Sequence, residues 1–427
     1  YKDWLNNMKR NVFYAQSGGV TPVINATAAG LIDYLKKNKS SFGKLFIGKN
    51  GIAGALNEEL IDVSKENSTE LKKLIHTPGG AFGSCRIKLE DPVKNKREFH
   101  RILEVFKAHN IGYFFYNGGG DSQDTTLKIS NYCKEHGYNV TCIGLPKTID
   151  NDLPVTDNCP GFGSVAKYIA ISTYEASLDV ASMANSSTKV FLLEVMGRHA
   201  GWLAASAGVI KDSKSMPPHL ILLPEIVFDE KRFLQKVKET VRKYGFCVIV
   251  ASEGIKNKNN KFIAASSSKD SFGHAHLGGV APKLANIITL KLSYKVHWAV
   301  ADYLQRAARH IGSSVDVKQA YMVGYKALEY AKKGINGVML TISRKKSKSY
   351  QWEIKHTKLE NVANIEKELP KSFISRDGFG ITRSCKKYIQ NLISGQDYPP
   401  YKDGIPQYAK LKHILLKKRL KNFKANL

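Results

Sequence analysis

Residues 113–152 read YFFYNGGGDSQDTTLKISNYCKEHGYNVTCIGLPKTIDND and contain the pattern that decides the fold. One short apolar run, 113–117, ends in consecutive glycines, and another, 140–145, ends in a polar heptapeptide, 146–152. Apolar runs of this length and composition are typical of buried strands. Open α/β sheets bind ligands beyond the carboxyl ends of their strands. The stretch therefore predicts two strands whose polar ends contribute to a binding site.

The same alternation continues along most of the chain. Short runs rich in Val, Ile, Phe and Tyr alternate with stretches that have the apolar repeat of surface helices, which predicts an α/β fold with mostly parallel sheets. We predict strands at Val12–Gln16, Leu45–Gly48, Tyr113–Asn117, Val140–Leu145, Val190–Val195, Leu220–Pro224, Cys247–Ser252 and Val338–Ile342. The predicted helices include Ile24–Lys36, Phe99–Ala108, Val165–Met183, Lys231–Lys243 and Val317–Lys333.

The length of the chain, 427 residues, is several times that of a typical single domain. We therefore expect two Rossmann-like lobes with a cleft between them. Prolines and glycines interrupt the pattern near residue 160, which predicts a boundary there. The first lobe would comprise residues 1–160 with a later return at about 303–365, and the second would comprise 161–302 with part of 366–427.

The charge balance of the chain favours acidic partners. Lys and Arg number 65 against 37 Asp and Glu, which gives a formal net charge of +28. Phosphates, nucleic acid and anionic membranes all fit such a balance, and charge alone does not choose between them. The densest basic run, Lys410–Lys424, is interpreted as one amphipathic helix, with Leu411, Ile414, Leu415 and Leu420 turned inward.

The cysteines and the apolar runs indicate a cytoplasmic protein. The six cysteines are widely spaced and form no CxxC pair or Cys/His cluster, which favours a reducing compartment without structural zinc. No run approaches the length of a membrane span, and residues 1–10 lack the apolar core of a signal peptide.

Three glycine-rich or charged loops follow predicted strands. Ser17–Gly19 and Gly118–Ser122 place glycines between a strand and a helix, where backbone N–H groups can hold a phosphate, although each could equally be a plain turn. Pro146–Asp152 adds one cation and two carboxylates beyond a buried strand, which ordinary turns do not require. The GxGxxA match at 161–166 follows polar residues rather than a strand, and no GxxxxGK[ST] loop is present.

Seven segments in order resemble the phosphofructokinase family over roughly residues 11–345. These segments are Ser17-Gly18-Gly19, Gly83-Ser84-Cys85-Arg86, Gly118–Ser122, Pro146–Asp152, Met196-Gly197-Arg198, Ser252-Glu253-Gly254 and Gln305-Arg306. The segment Asp397–Gly404 additionally resembles the longer, pyrophosphate-using branch. The resemblance implies phosphoryl transfer to fructose 6-phosphate with Mg²⁺, with the donor in the first lobe and the sugar phosphate in the second.

Two positions bear on the phosphoryl donor. ATP-using members usually carry Gly where this chain has Asp121 and Gly where it has Lys147. A carboxylate at 121 would add bulk and negative charge near the α-phosphate of ATP. An ammonium at 147 would supply positive charge to pyrophosphate. The resemblance therefore implies pyrophosphate as the donor, with ATP as the alternative.

The resemblance also implies residue roles around the transferred phosphoryl group. Asp150 would be the general base for the sugar 1-hydroxyl, assisted by Lys147 and Asp121. Diphosphate would bind at Gly19, Arg86, Ser122 and Thr148. Gly120 stands where most members have a metal-binding Asp, which leaves Mg²⁺ to Asp121, Asp152, water and phosphate oxygens. Asp121 could instead cap the helix that begins near Asp124.

Fructose 6-phosphate would bind at the second lobe. The resemblance assigns its contacts to Thr148, Asp150, Asp152, Met196, Gly197, Arg198, Glu253, Tyr303 and Arg306. Two arginines that relatives supply from a neighbouring subunit align with Lys189 and His297, and both substitutions weaken phosphate binding. A homodimer or homotetramer is therefore expected. Sedoheptulose 7-phosphate stays open as a second substrate.

One alternative comes from another class of protein. A non-catalytic anion- or nucleic-acid-binding protein on the same scaffold would explain the net charge of +28. It predicts salt-sensitive binding to unrelated duplexes and no turnover. The chain contains no recognisable nucleic-acid module, so we expect neither a nucleic-acid nor a membrane partner.

Overall fold

The computed structural model describes residues 9–213, 215–269 and 275–425, and contains two main sheets. The seven strands of the larger sheet are β1 (Asn11–Gln16), β2 (Leu45–Gly48), β3 (Leu60–Asp62), β4 (Ile111–Gly118), β5 (Thr141–Pro146), β12 (Val338–Arg344) and β13 (Trp352–Lys358). Their order across the sheet is β13-β12-β5-β4-β1-β2-β3. The five central strands run parallel, and the two edge strands, β3 and β13, are antiparallel to their neighbours.

The register of the larger sheet aligns the ends of its central strands. Gln16 of β1 lies opposite Asn117 of β4, and Asn117 in turn lies opposite Leu145 of β5. All three strands are almost completely buried, as expected for a parallel sheet covered on both faces. The loops that follow these strands therefore leave the sheet side by side.

The smaller sheet has four parallel strands in the order β11-β6-β8-β7. They are β6 (Val190–Val195), β7 (Leu220–Leu222), β8 (Cys247–Ser252) and β11 (Val296–Val300). Val195 lies opposite Ser252, so the loops at Met196 and Glu253 are also neighbours. The remaining strands form two short antiparallel pairs. β9 (Ala265–Lys269) pairs with β10 (Ala275–Leu277), and β14 (Tyr401–Lys402) pairs with β15 (Ile405–Pro406).

Helices cover the sheets. The α-helices are Ile24–Lys37, Ile52–Asn57, Ser68–Lys73, Lys96–Ala108, Gly120–Glu135, Phe162–Met183, Trp202–Ser206, Glu230–Tyr244, Val280–Leu292, Asp302–Ala307, Ser314–Lys332 and Arg383–Leu392. The first of these crosses Ser314–Lys332 very closely. A Cβ at Gly30 would lie 2.0 Å from the Tyr321 carbonyl, and one at Gly324 would lie 1.8 Å from the Thr27 carbonyl. This crossing closes the larger sheet's apolar core on one face.

The predicted α/β class and mostly parallel sheets are confirmed. Each predicted strand and helix is present, with ends that shift by a few residues; the strand predicted at Leu220–Pro224 ends at Leu222. The proposed division at residue 160 stays a prediction. All six cysteines have free thiols. None of the helices in the described ranges has the length and apolar character that crossing a membrane requires.

The predicted amphipathic helix at Lys410–Lys424 is wrong. This segment is extended: the Asp62 N–H donates to the Ile414 carbonyl at 3.0 Å, and the Leu416 N–H donates to the Leu60 carbonyl at 2.9 Å. The segment thus adds backbone hydrogen bonds to the free edge of β3, which replace those that a helix would make. Leu411 and Leu420 do pack on the core, whereas Ile414 and Leu415 are exposed.

Carboxylates of three glutamates between residues 58 and 70 hold the same segment. Glu70 accepts the N–H of Lys410, and Glu66 accepts those of Lys412 and His413. The buried Glu58 accepts the N–H groups of Arg419 and Leu420. Backbone groups of an extended chain are thereby satisfied by side chains more than 300 residues away in sequence.

Candidate active site

Three loops of the larger sheet meet beyond the carboxyl ends of β1 and β4. The Ser17 N–H donates to the Asn117 carbonyl at 2.9 Å, and the Ser122 hydroxyl donates to the Ser17 hydroxyl at 2.8 Å. The Gly18 N–H donates to the Cys85 carbonyl at 2.9 Å. Three of the segments predicted to form the donor site are therefore in direct contact.

Three cations converge on Gly19. The buried Lys147 ammonium donates to the Gly19 carbonyl at 2.6 Å. A Cβ at Gly19 would lie 2.9 Å from Arg306 Nη1 and 3.2 Å from Arg86 Nη2, so a side chain here would displace both guanidinium groups. Burial, followed by the charges of Arg86 and Arg306, lowers the pKa of Lys147 to about 7. A concentration of positive charge this high favours an anionic ligand.

Two carboxylates follow Lys147 on the same loop. Asp150 donates its backbone N–H to the Thr148 hydroxyl at 3.0 Å, which fixes the turn. Burial, followed by the charges of Asp152 and Glu253, raises the pKa of Asp150 to about 7. Burial and the charge of Glu366 also raise the pKa of Asp152. The loop therefore places a carboxylate suited to accept a proton near neutral pH next to the cation cluster.

Asp121 faces Lys88 at the start of the helix that follows β4. The helix after β4 begins at Gly120, with Asp121 in its first turn, and no side chain caps this helix end. The alternative role of Asp121 as an N-cap is therefore wrong. Its carboxylate lies 3.0 Å from the Lys88 ammonium instead. A Cβ at Gly120 would meet no atom within 4 Å, so the space beside this glycine is open.

The loops of the smaller sheet form the other side of the site. The Gly197 N–H donates to the Glu253 carboxylate at 3.3 Å, and the Met196 N–H donates to the Gln305 side chain at 3.4 Å. Burial raises the pKa of Glu253 despite the hydrogen bond from Gly197. The negative charge of Glu253 also raises the pKa of Asp150, so residues that follow strands of both sheets influence the same carboxylate.

Tyr303 and Arg306 lie on the short helix Asp302–Ala307. The guanidinium carbon of Arg306 stands 3.8 Å from the centre of the Tyr303 ring, a cation–π contact. Tyr303 is 64% exposed, whereas Arg306 reaches inward to Gly19. The aromatic ring thus supports the arginine from the solvent side.

Lys189 and His297 do not join the site of their own chain. They lie at the amino ends of β6 and β11, the opposite edge from Gly197 and Glu253. The Lys189 ammonium donates to the Ala184 carbonyl. His297 is exposed on β11, an edge strand of the smaller sheet.

Two further residues at the site lie outside the quoted motifs, and a third lies within one but makes a contact that the sequence does not show. Lys88 lies outside the quoted motif and pairs with Asp121. Glu366, from the segment after β13, contacts His199 at 2.8 Å and raises the pKa of Asp152. The buried Gln305 is adjacent to Arg306 in the motif, and only the fold reveals its contact with Met196.

The start of the helix Phe162–Met183 is occupied by a carboxylate. Asp316 accepts the N–H groups of Gly161 and Ser164, both at 2.9 Å. This pair of hydrogen bonds uses the backbone donors that a bound diphosphate would need at the GxGxxA segment. The segment is therefore a helix start capped by a distant side chain.

The carboxylates can accommodate Mg²⁺ together with a phosphate ligand. Within the described ranges no three His, Cys, Asp or Glu side chains are arranged to hold a metal ion by themselves. Asp152 nevertheless has a pKa raised by its burial and by Glu366, so a nearby cation would stabilise its charged form. Mg²⁺ commonly binds through one or two carboxylates, with water and substrate phosphates as its other ligands. The residues present fit that mode of binding.

Comparisons with known proteins agree with the residue motifs. Residues 11–331 match the protein family described as "Phosphofructokinase". The chain is 55% identical to a "Pyrophosphate--fructose 6-phosphate 1-phosphotransferase" of Methylococcus capsulatus, over 96% of this chain and 98% of that protein. It is 54% identical to the protein of the same name from Halomonas elongata, over 97% and 99% of the two chains.

A solved structure extends the similarity to the whole fold. The crystal structure of a pyrophosphate-dependent phosphofructokinase from Marinobacter aquaeolei superposes with a TM-score of 0.90 at 55% sequence identity, covering 97% of this chain and 99% of that one. The chain therefore belongs to the phosphofructokinase family.

Proposed function

We propose that this protein catalyses reversible phosphoryl transfer from pyrophosphate to the 1-hydroxyl of fructose 6-phosphate. The products are fructose 1,6-bisphosphate and inorganic phosphate. The observation that carries the proposal is the position of Lys147, which binds the Gly19 carbonyl between Arg86 and Arg306, with Asp150 three residues further along the chain. The names of the relatives from M. capsulatus and H. elongata support the same donor and acceptor.

Asp150 acts as the general base in this scheme. Its carboxylate takes the proton from the sugar 1-hydroxyl as the hydroxyl oxygen bonds to a phosphorus of pyrophosphate. The bond between that phosphorus and the bridging oxygen breaks, and the second phosphate leaves with the bridging electron pair. A pKa raised to about 7 suits a base that must be free near neutral pH and still hold a proton afterwards.

The cation cluster stabilises the transferring group. Lys147 and Arg86 bind oxygens of pyrophosphate, while the backbone of Gly19 and the hydroxyls of Ser122 and Thr148 orient it. Phosphoryl transfer depends mainly on positioning and charge neutralisation. Mg²⁺, held by Asp152 and Asp121 with phosphate oxygens and water, would supply further positive charge when bound.

Donor choice follows from the charged residues on the donor side. An ion pair between Lys88 and Asp121 joins the loop after Arg86 to the helix after β4. The Lys147 ammonium donates a hydrogen bond to the Gly19 carbonyl in the loop after β1. A nucleoside triphosphate would bring an additional phosphate towards the Asp121 carboxylate, which repels it. Pyrophosphate lacks that additional phosphate, so it shares Mg²⁺ with Asp121 without bringing further negative charge to the carboxylate.

The acceptor is held by the smaller sheet. Glu253 accepts hydrogen bonds from sugar hydroxyls beside Met196, Gly197 and Arg198, and Arg306 with Tyr303 binds the 6-phosphate. We propose the two lobes with the predicted bounds: residues 1–160 and about 303–365 form the donor lobe, and residues 161–302 with part of 366–427 form the sugar-phosphate lobe. Tyr303 and Arg306, at the start of the returning segment of the donor lobe, contribute to the sugar-phosphate site.

A second copy of this chain is proposed to cover the edge of the smaller sheet. β11 is an edge strand, and Trp298 on it is 48% exposed. Further exposed apolar side chains lie on adjoining helices: Tyr174, Leu178, Met183, Leu290 and Leu304. An apolar edge of this kind marks an interface between chains. His297 lies on β11 and Lys189 precedes the neighbouring strand β6, and a two-fold axis would direct them to the partner's 6-phosphate site.

Sedimentation velocity tests the homodimer. Trp298→Glu together with Leu178→Glu places charge in the apolar face, so the doubled mass of the parent chain should fall to that of one chain. Val93→Glu is the matched control, because Val93 is an exposed apolar residue outside this face. A parent chain that sediments as a monomer would contradict the proposal.

Phosphorus NMR of the reaction mixture tests the proposed activity. With Mg²⁺ and fructose 6-phosphate, each pyrophosphate consumed should give one inorganic phosphate and one new phosphomonoester on carbon 1. Two inorganic phosphates per pyrophosphate, with the sugar phosphate unchanged, would identify a hydrolase and overturn the proposal. No consumption of pyrophosphate would also overturn it.

A further inference from the structure

Arg309 is fully buried although it carries a guanidinium group. Its side chain is 0% exposed and donates to both the carboxylate and the main-chain carbonyl of Asp397. It also donates to the Ile75 carbonyl at 3.2 Å and lies 3.2 Å from His76 Nδ1. Burying a charged group is costly unless it is paired and hydrogen-bonded, and these contacts meet that need. They also join three chain segments: the one that contains Arg309, the one that contains Ile75 and His76, and the one that contains Asp397.

The first of these segments carries the 6-phosphate residues. Arg309 begins a short turn, Arg309–Ile311, two residues after the helix Asp302–Ala307 that bears Arg306. The turn has space for the guanidinium group because residue 312 is a glycine. A Cβ at Gly312 would lie 2.4 Å from Arg309 Nη1, so no larger residue fits there without displacing it.

The second segment carries the donor-side arginine. Ile75 and His76 immediately precede residues 77–86, which lack regular helix or strand and end at Arg86. The other end of this segment is held by the hydrogen bond from Gly18 to Cys85. Arg86 and Arg306 then meet at Gly19, where both guanidinium groups lie close to the same backbone position.

The third segment is C-terminal and lies outside the matched residues 11–331. Residues 392–397 run beside 312–315: the Ser313 hydroxyl donates to the Leu392 carbonyl at 2.6 Å, and Ser313 pairs with Gln396. Burial alone would raise the pKa of Asp397, but hydrogen bonds from His76 and Arg309 hold it below its ordinary value. Asp397 therefore faces Arg309 as an anion, which strengthens the hydrogen bonds.

We propose that Arg309, held by Asp397, is a positioning residue that fixes Arg86 and Arg306 relative to each other around Gly19. The inference rests on the proposed function, because these two arginines bind the donor and the 6-phosphate in it. It assigns a role to the start of the segment Asp397–Gly404: this segment supports the phosphate-binding arginines without touching substrate.

Kinetics of two variants test this role. In Arg309→Met and in Asp397→Asn, the KM values for pyrophosphate and fructose 6-phosphate should both rise about tenfold, while kcat falls less than about threefold. Arg309→Lys should raise both KM values less than Arg309→Met does, since the lysine ammonium keeps a positive charge near Asp397. Asp397→Asn preserves shape, so it tests the proposal even if Arg309→Met does not fold.

Hydrogen–deuterium exchange gives a readout that needs no turnover. In the unliganded variants, amides of residues 77–86 and 302–311 should exchange about tenfold faster than in the parent. Asp212→Asn is the control. Asp212 is 78% exposed and pairs with Lys386 rather than with Arg309 or its partners. A variant that melts at lower temperature but keeps both KM values and the parent exchange rates would overturn the proposal. An inactive parent with the expected exchange change would overturn only the proposed function.

Discussion

The Lys88 ammonium lies 3.0 Å from the Asp121 carboxylate, so the loop that follows Arg86 is joined to the helix that follows β4. The hydrogen bond and the charge of Asp121 raise the pKa of Lys88, which is therefore a cation at neutral pH. Both groups are partly exposed, so the pair contributes little to stability by itself. Its importance is geometric, because it holds the Asp121 carboxylate in place at the start of the helix that follows β4.

Removal of the two donor-side charged residues should disable pyrophosphate use. In Asp121→Gly combined with Lys147→Gly, the carboxylate and the buried ammonium are both lost. We expect kcat/KM for pyrophosphate to fall by at least about 100-fold, because the ammonium stabilises charge on the transferring group. Initial rates at fixed fructose 6-phosphate measure this, with Asp212→Asn as the control. Unchanged pyrophosphate kinetics would contradict the assigned roles.

Asp150→Ser should affect turnover far more than binding. A general base acts mainly in the transition state, so kcat should fall by about 1000-fold while both KM values change less than about threefold. Asp157→Asn is an informative comparison, because Asp157 lies on the same loop but pairs with Arg344. If Asp150→Ser raised KM and left kcat intact, Asp150 would be a binding residue instead.

The pH dependence should be bell-shaped with a maximum near neutrality. Asp150, whose pKa is raised to about 7, can accept a proton only when ionised, so activity is lost as pH falls through that value. Lys147, whose pKa is lowered to about 7, loses its charge as pH rises through that value. We therefore expect kcat/KM for pyrophosphate to decline on both sides of about pH 7.

A lysine-to-arginine variant separates the two limbs of that profile. Lys147→Arg retains its charge at alkaline pH, so the alkaline decline should disappear while the acid decline stays. A profile that is flat from about pH 6 to about pH 8 would show that neither group controls the rate in this range.

Glu58→Gln should destabilise the attachment of the C-terminal segment. Glu58 is buried and accepts hydrogen bonds from His109 and from the N–H groups of Arg419 and Leu420. We expect the free energy of unfolding to fall by about 2 kcal/mol, because charged hydrogen bonds are replaced by weaker ones. Urea denaturation measures this change. The neighbouring Glu59→Gln is the control, and an equal loss there would contradict the role of Glu58.

Sequence patterns predicted the fold, whereas the residue roles at the site stay predictions. The strands that end at Gln16, Asn117 and Leu145 were predicted because a buried parallel strand leaves a continuous apolar run. The adjacency of their loops followed from the rule that ligands bind at the carboxyl edge of such sheets. The structure brings Gly19, Arg86 and Lys147 together and adds Arg306, which the motifs assigned to the 6-phosphate site instead.

Other features depend on contacts between distant parts of the chain. The segment Lys410–Lys424 has helical spacing, yet the free edge of β3 and the carboxylates of Glu58 and Glu66 supply partners for an extended backbone. Lys88 and Glu366 are ordinary charged residues in the sequence, and only the fold places them beside Asp121 and Asp152. Local patterns cannot reveal such pairings, since tertiary contacts override local preference.

The most direct test of the donor assignment is a comparison of initial rates with pyrophosphate and with ATP, at equal concentrations, with fructose 6-phosphate and Mg²⁺. Formation of fructose 1,6-bisphosphate is followed in both. We predict rapid turnover with pyrophosphate and a rate at least about 1000-fold lower with ATP, because Asp121 and Lys147 favour the smaller donor. An equal or faster rate with ATP would contradict the account.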